Sequence, residues 1–266
     1  MSGLKNKVIW LTGASSGIGE ALVYELAREG AKLVLSARRK AELERVKHNC
    51  TPESQLNIRI LPLDLSQPDS LAQATREAIQ VFGHVDILIN NGGISQRSLI
   101  RETTMEVDRR IMEVNYFGAV ALTKNLLPHF VDRKAGHFVT LSSVTGKFGT
   151  PFRSGYAASK HALHGFFDSV RAEHWKDNIF VTMICPGFIN TPITLAALKG
   201  DGSPLNEVDK AQAKGKPAEW CAKRIVRAIE RKREEVYIGG KEVLGVYIKR
   251  LFPSLFSKII RKVPVR

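Results

Sequence analysis

Cysteine is scarce. Cys50, Cys185 and Cys221 are the only three in 266 residues, and they follow no C-x-x-C or zinc-type spacing. That excludes a disulfide framework and a thioredoxin-type motif, and it fits buried thiols in a reducing compartment. No window holds 18 uninterrupted apolar residues, so no transmembrane helix is expected. Residues 1–7 are polar and show no signal-peptide pattern, so the expected location is cytoplasmic. There is no internal repeat, low-complexity tract or linker, which argues against a solenoid or a two-domain chain. Acidic residues are the minority, 26 against 40 basic, for a net charge of +14. Such an excess suits nucleic acid, an anionic membrane surface or an anionic ligand, and its placement must decide among them.

What is present is a globular composition, 44% hydrophobic and 25% charged. Short apolar, β-branched runs fall at 8–12, 32–36, 58–62, 87–90, 137–142, 180–185 and 235–238. Helical patterns lie between them at 17–29, 39–48, 68–82, 105–133, 155–175 and 218–231. Nearly continuous apolar runs alternating with helices predict an α/β fold. Its form would be a Rossmann-like doubly wound parallel sheet of about seven strands with helices on both faces. Residues 1–240 read as one domain and 241–266 as a separate C-terminal segment. The stretch 188–216 breaks the alternation, and long loops of this kind are often lids or mobile segments.

After the first strand comes Gly13-Ala14-Ser15-Ser16-Gly17-Ile18-Gly19, and a helix pattern follows at once. Glycines there let the backbone turn tightly and approach a pyrophosphate, while the helix N-terminus presents free N–H groups to the anion. A turn serving only helix–sheet packing would look similar, but this position favours binding. The second strand ends at Ser36-Ala37-Arg38-Arg39, with no acid before Glu42. An NAD site wants a carboxylate here for the ribose hydroxyls, whereas arginines pair with a 2′-phosphate. Arg38 and Arg39 therefore point to NADP(H), although a solvated start to the next helix is the plainer alternative. Asp64-Leu65 would lie near the adenine, or Asp64 would be a turn residue. Asn90-Asn91-Gly92-Gly93 ends the fourth strand, where glycines admit backbone contact with a cofactor.

Ser143 follows the fifth strand, and Tyr156 and Lys160 lie four apart on one helical face. An ammonium beside a phenol favours the phenolate, and a Tyr so tuned can exchange a proton with a substrate oxygen. Ser143 could hydrogen-bond the same oxygen. A Tyr–Lys pair alone is weak evidence, but the serine, glycine loop and Asn pair in this order are hard to obtain by chance.

Together these stretches, with Asn115 and Pro186-Gly187, resemble the short-chain dehydrogenase/reductase family in its compact single-domain type. The likeness spans residues 8–192. It implies a tetrad of Asn115, Ser143, Tyr156 and Lys160. Tyr156 would be the acid/base, Ser143 would polarise the carbonyl, Lys160 would lower the Tyr156 pKa and bind the nicotinamide ribose, and Asn115 would hold a relay water. Pro186, Gly187, Ile189 and Thr191 would line the nicotinamide pocket. The expected reaction moves a hydride between NADP(H) and a ketone or secondary alcohol. The resemblance also implies a homodimer or homotetramer. Gly92 departs from the Ala usual in the family.

His161, His164 and Asp168 share a face of the Tyr156 helix, but nothing nearby completes a ligand set, so no metal is expected. Phe148, Phe152, Phe188, Leu195 and Leu198 would line a pocket for an apolar, lipid- or steroid-like substrate, or simply anchor loops. The tail 241–266 repeats apolar pairs every four residues, with Pro253 expected to end one helix and open another. Seven basic residues against Glu242 give it a charge of +6. Such a segment reads either as a membrane-surface element or as packing on the fold or a partner subunit. Its cations interleave with large aliphatics and no reading motif is present, so nucleic acid is not an expected partner. The rivals to an enzyme are a non-catalytic NADP(H) sensor and a membrane-associated interaction protein.

Overall fold

The computed structural model describes residues 3–207 and 209–262. Its sheet begins with β1 (Val8–Thr12), β2 (Lys32–Ser36), β3 (Ile58–Ile60), β4 (Ile87–Asn90), β5 (Gly136–Leu141) and β6 (Ile179–Pro186). A separate short ladder joins β7 (Ile189–Asn190) to β8 (Lys216–Pro217), and β9 (Glu235–Ile238) completes the main sheet. The order is β3-β2-β1-β4-β5-β6-β9, every pairing being parallel. This is the expected Rossmann-like sheet of seven strands. The third strand stops at Ile60 rather than residue 62.

Alternating residues along each strand face opposite sides, and both sides are dry. Ile9, Leu11, Leu33 and Leu35 pack with α1 (Gly17–Arg28), α2 (Lys40–His48) and, later in the chain, residues 221–229. Trp10, Val34, Leu88 and Phe138 face the other layer. That layer follows α3 (Pro52–Gln55) in the chain and is built from α4 (Pro68–Phe82) and two long helices. Burial on both faces explains why the strands read as unbroken apolar runs.

Residues 105–133 are helical throughout but not uniformly α-helical. α5 (Met105–Met112) passes into a π-helical turn, Glu113–Phe117, and then into α6 (Gly118–Arg133). A π turn takes in an extra residue and rotates the side chains that follow. Here it carries Asn115, 1% exposed, into the interior. α7 (Ser154–Glu173) bears Tyr156 and Lys160. The 188–216 stretch is anchored at Leu198. Leu198 bridges to both Gln96 and Pro204, and the stretch contains α8 (Lys210–Ala213). α9 (Ala218–Glu230) then precedes β9.

The tail forms α10 (Leu244–Leu251) and α11 (Pro253–Ile260), with Pro253 in the first turn of the second. Val246 and Phe256 are buried against Val144 and Phe148, just beyond Ser143. The Phe148 and Phe256 rings sit 4.9 Å apart. Among the described residues, no helix is long and apolar enough to cross a membrane.

Candidate active site

Strand order reverses between β1 and β4, and loops diverge there at the carboxyl ends of the strands. A cleft of about 560 Å³ opens at that point. Gly13, Ser15, Ser16, Gly17, Ile18 and Gly19 form one wall. Gly13 has φ +64°, and a Cβ there would meet the Gly92 backbone at 2.8 Å. A Cβ on Gly19 would stand 2.0 Å from the Gly13 carbonyl oxygen, so no side chain fits. Ser16 caps α1 in extended geometry with no side-chain cap bond. The N–H groups of that helix end thus face the cleft, as a pyrophosphate requires.

Asn91 holds this loop in place. Its Nδ2 donates to the carbonyls of Thr12 and Gly13, at 2.9 and 3.0 Å. The backbone N–H groups of Asn91 and Gly92 donate to Thr12 Oγ1. The Asn91 amide therefore braces the glycine turn, and its contribution to the cleft wall is secondary. At Gly92, a Cβ would clash only with the end of Leu65, Cδ1 at 2.6 Å, and touch Thr12 Oγ1 and Gly13 N at ordinary contact distance.

Arg38 and Arg39 lie exposed at the rim beyond β2. No carboxylate pairs with either among the described residues. Arg45, by contrast, is committed to Glu20 and Glu42, at 2.8 and 2.9 Å. Glu42, the first acid after β2, is thus already engaged. Asp64 Oδ1 accepts from Ser66 N and Ser66 Oγ, so it closes a turn while lining the same cleft.

At the other end lie Ser143, Tyr156 and Lys160, with Pro186, Gly187, Ile189 and Thr191 beside them. Lys160 Nζ donates to the Leu141 carbonyl at 2.7 Å and stands 5.7 Å from the Tyr156 ring centre. Burial pulls its pKa down to about 8. Burial also raises the Tyr156 phenol above its ordinary value. The Arg153 guanidinium, a hydrogen bond with Ser143 and the Arg97 guanidinium each pull it back. Arg153 and Arg97 thus oppose the effect of burial at Tyr156.

Asn115 lines no part of the cleft. Its Nδ2 donates to the Ile94 carbonyl and to Ser159 Oγ, both at 3.0 Å, and its Oδ1 accepts from Ile94 N at 2.8 Å. It acts on the site by fixing the loop after β4 to α7, one residue before Lys160. Every other residue expected to carry the chemistry or hold the cofactor is brought into the one cleft.

Of the five apolar residues expected at the substrate end, only Leu195 lines this cleft. Phe148 supports the tail, Leu198 packs with Val107 and Ile111, and Phe188 stacks with Arg153. His161 bonds the Ala157 carbonyl, Asp168 pairs with Arg171, and buried His164 contacts Ser142.

The family model for short chain dehydrogenase matches residues 7–201.

This chain belongs to the short-chain dehydrogenase/reductase family.

It is 46% identical over 265 residues to the Dehydrogenase/reductase SDR family protein 7-like of Anopheles gambiae, covering 97% of this chain and 83% of that one. It is 44% identical over 261 residues to Dehydrogenase/reductase SDR family member 7B of Mus musculus, covering 97% and 81%. Among solved structures, the alcohol dehydrogenase of Thermococcus sibiricus complexed with 5-hydroxy-NADP superposes with a TM-score of 0.76 at 26% identity, over 89% of this chain and 97% of that one. A short-chain dehydrogenase/reductase of Burkholderia phymatum in complex with NAD shares the fold with a TM-score of 0.83 at 22% identity, over 100% and 99%. Members of this family are oxidoreductases, and these two solved structures hold nicotinamide dinucleotides of both kinds. The cleft fits such a group here. Its glycine cradle has no room for Cβ atoms, and the wall continues unbroken from Arg38 to Lys160.

Four residues of this short-chain dehydrogenase have roles that its sequence does not announce. Arg97 and Arg153 enter the cleft wall and converge on Asp209. Gln212 donates to the Ile189 carbonyl and to Thr191 Oγ1, holding the floor of the nicotinamide end. Glu242 accepts from Phe188 N and Gly240 N, both at 2.9 Å, and so ties the tail to the loop after β6. No local pattern announces any of these, because each partner lies far along the chain or on a turn.

Proposed function

We propose that this protein is an NADP(H)-dependent reductase that converts a ketone into a secondary alcohol. The observation that carries the reading is one continuous cleft with two arginines free of carboxylates at one end and Tyr156, Ser143 and Lys160 at the other. Arg38 and Arg39, with Glu42 held by Arg45, favour a 2′-phosphate over a bare ribose. Ser143 would donate to the carbonyl oxygen and Tyr156 would give it a proton. Burial favours the neutral phenol, the form that can donate a proton. Bound NADPH supplies the hydride to the carbonyl carbon. Ile193, Leu195 and Ala196 on the wall support an apolar portion in the substrate.

A cytoplasmic location and assembly as a homodimer or homotetramer belong to the same proposal. Phe117 supports an interface near the start of α6, being half exposed with its ring 5.1 Å from that of Tyr116.

The test is consumption of NADPH and NADH by the purified protein across aliphatic, aromatic and steroid ketones. Turnover with NADPH at least tenfold more efficient than with NADH is expected. Binding of NADPH with no turnover on any ketone would favour a cofactor sensor instead.

A further inference from the structure

The inner wall beside Tyr156 is cationic. Arg97 and Arg153 are 2% and 7% exposed, and both reach the same oxygen of Asp209. Arg97 Nε donates to Asp209 Oδ2 at 2.6 Å, and Arg153 Nη2 donates to it at 3.3 Å. Two buried guanidiniums thus share one carboxylate. Arg97 also donates to Ser95 Oγ and the Gln96 carbonyl. Arg153 Nε is buried with no hydrogen-bond partner. Burial, followed by the like charge of Arg97, pushes the Arg153 pKa down to about 10, with Asp209 opposing. A guanidinium held this way is costly unless something else completes its bonding. Arg153 caps the helix that carries Tyr156, three residues before it, and both residues line the cleft.

Resting on the reductase reading above, we propose that the substrate is an anionic ketone, whose carboxylate or phosphate group Arg153 receives while Tyr156 faces the carbonyl oxygen. Arg97 and Asp209 position the Arg153 fork, and a two-oxygen anion matches that fork. The anion takes no part in the redox step. A hydride from NADPH forms the new C–H bond, the Tyr156 proton forms the O–H bond, and the secondary alcohol leaves with NADP⁺. The phenolate then regains a proton from solvent. The apolar part of such a substrate would run towards Leu195, which makes the favoured molecule amphiphilic.

The experiment compares matched pairs on the full chain with NADPH: a medium-chain 2-oxo acid against its methyl ester, and a hydroxyketone phosphate against the free hydroxyketone. Turnover and calorimetric binding are both read. One or both anions should bind and react at least tenfold better than their neutral partners, and the better pair identifies the anion. Arg153→Gln should remove that preference, largely through KM, and Arg153→Lys should restore part of it. Equal binding of anion and neutral partner by the wild-type protein would overturn the proposal without any variant. Anion-selective binding without turnover would uphold the anion site and sink the reductase reading, so the two fail separately.

The other unassigned surface is on α10 and α11. Val246 and Phe256 point inward, which leaves Leu244, Tyr247, Leu251, Phe252, Leu255 and Ile259 exposed. Lys249, Arg250, Lys258, Arg261 and Lys262 are exposed beside them. None of these five pairs with a carboxylate among the described residues, and the one acid, Glu242, is turned to the backbone of Phe188 and Gly240. We also propose that this face docks on an anionic phospholipid surface, since cations rimming large apolar side chains match lipid phosphates above acyl chains. Full-length protein should sediment with phosphatidylserine-containing vesicles and much less with pure phosphatidylcholine. Leu251→Ser combined with Phe252→Ser should abolish sedimentation and leave turnover unchanged. Failure to bind the anionic vesicles, or a dimer in light scattering that the double variant splits, would overturn it.

Discussion

Asn115 and Ser159 are joined by a 3.0 Å hydrogen bond that links the π turn to the helix carrying Tyr156 and Lys160. With the two bonds to Ile94, it makes Asn115 a brace between three segments. Asn115→Ala would leave the half-buried N–H and C=O of Ile94 and one face of buried Ser159 without these partners. The expected loss is about 1–3 kcal/mol of stability, measured by urea unfolding. A fall in turnover with little change in NADPH affinity should accompany it. Unchanged stability would contradict the bracing role.

Lys160 is a buried ammonium, and burial lowers its pKa from the ordinary 10.5 to about 8. Between those limits the unfolded chain binds more protons than the native one, so stability rises with pH there. The burial penalty is fully present below about pH 8 and gone above about pH 10.5. Lys160→Met should therefore stabilise the fold at pH 7, by up to about 3 kcal/mol, while abolishing turnover. The gain should shrink as pH climbs through that window. A destabilised variant would show that the bond to Leu141 outweighs the penalty.

Arg38 and Arg39 make the cofactor preference open to a single substitution. Arg38→Asp puts a carboxylate where a ribose hydroxyl would be accepted and a 2′-phosphate repelled. The ratio of NADPH to NADH affinity should drop at least tenfold in fluorescence titrations. An unaltered ratio would move the phosphate contact elsewhere.

Two glycines should respond in opposite ways. Gly19→Ala drives a methyl into the Gly13 carbonyl, a backbone atom that cannot yield, so dinucleotide binding should be lost or weakened more than tenfold. Gly92→Ala clashes only with the flexible end of Leu65, so binding should stay within about twofold. Circular dichroism would confirm that both variants fold. A tolerant Gly19 would mean that the cradle is looser than its atoms imply.

Much of the architecture was readable because β1, β2, β4 and β6 are buried on both faces and so appear as unbroken apolar runs. The glycine loop and Tyr156–Lys160 were readable for a similar reason, each being local in the chain. The π turn was not, since its extra residue leaves the amphipathic pattern of 105–133 intact. Arg153 and Arg97 carry no signal in the sequence, because Asp209 lies 56 and 112 residues away. Their convergence is a tertiary fact. The tail left two readings open, and Val246 and Phe256 pack on the fold while its other face remains exposed.

The most direct test is Tyr156→Phe. Phe keeps the ring and removes only the hydroxyl that faces Ser143. NADPH should bind within about twofold of wild type by fluorescence titration, while ketone reduction falls at least 1,000-fold, on the order expected for loss of a general acid. Turnover close to wild type with the ring intact would contradict the assignment of the proton to this phenol.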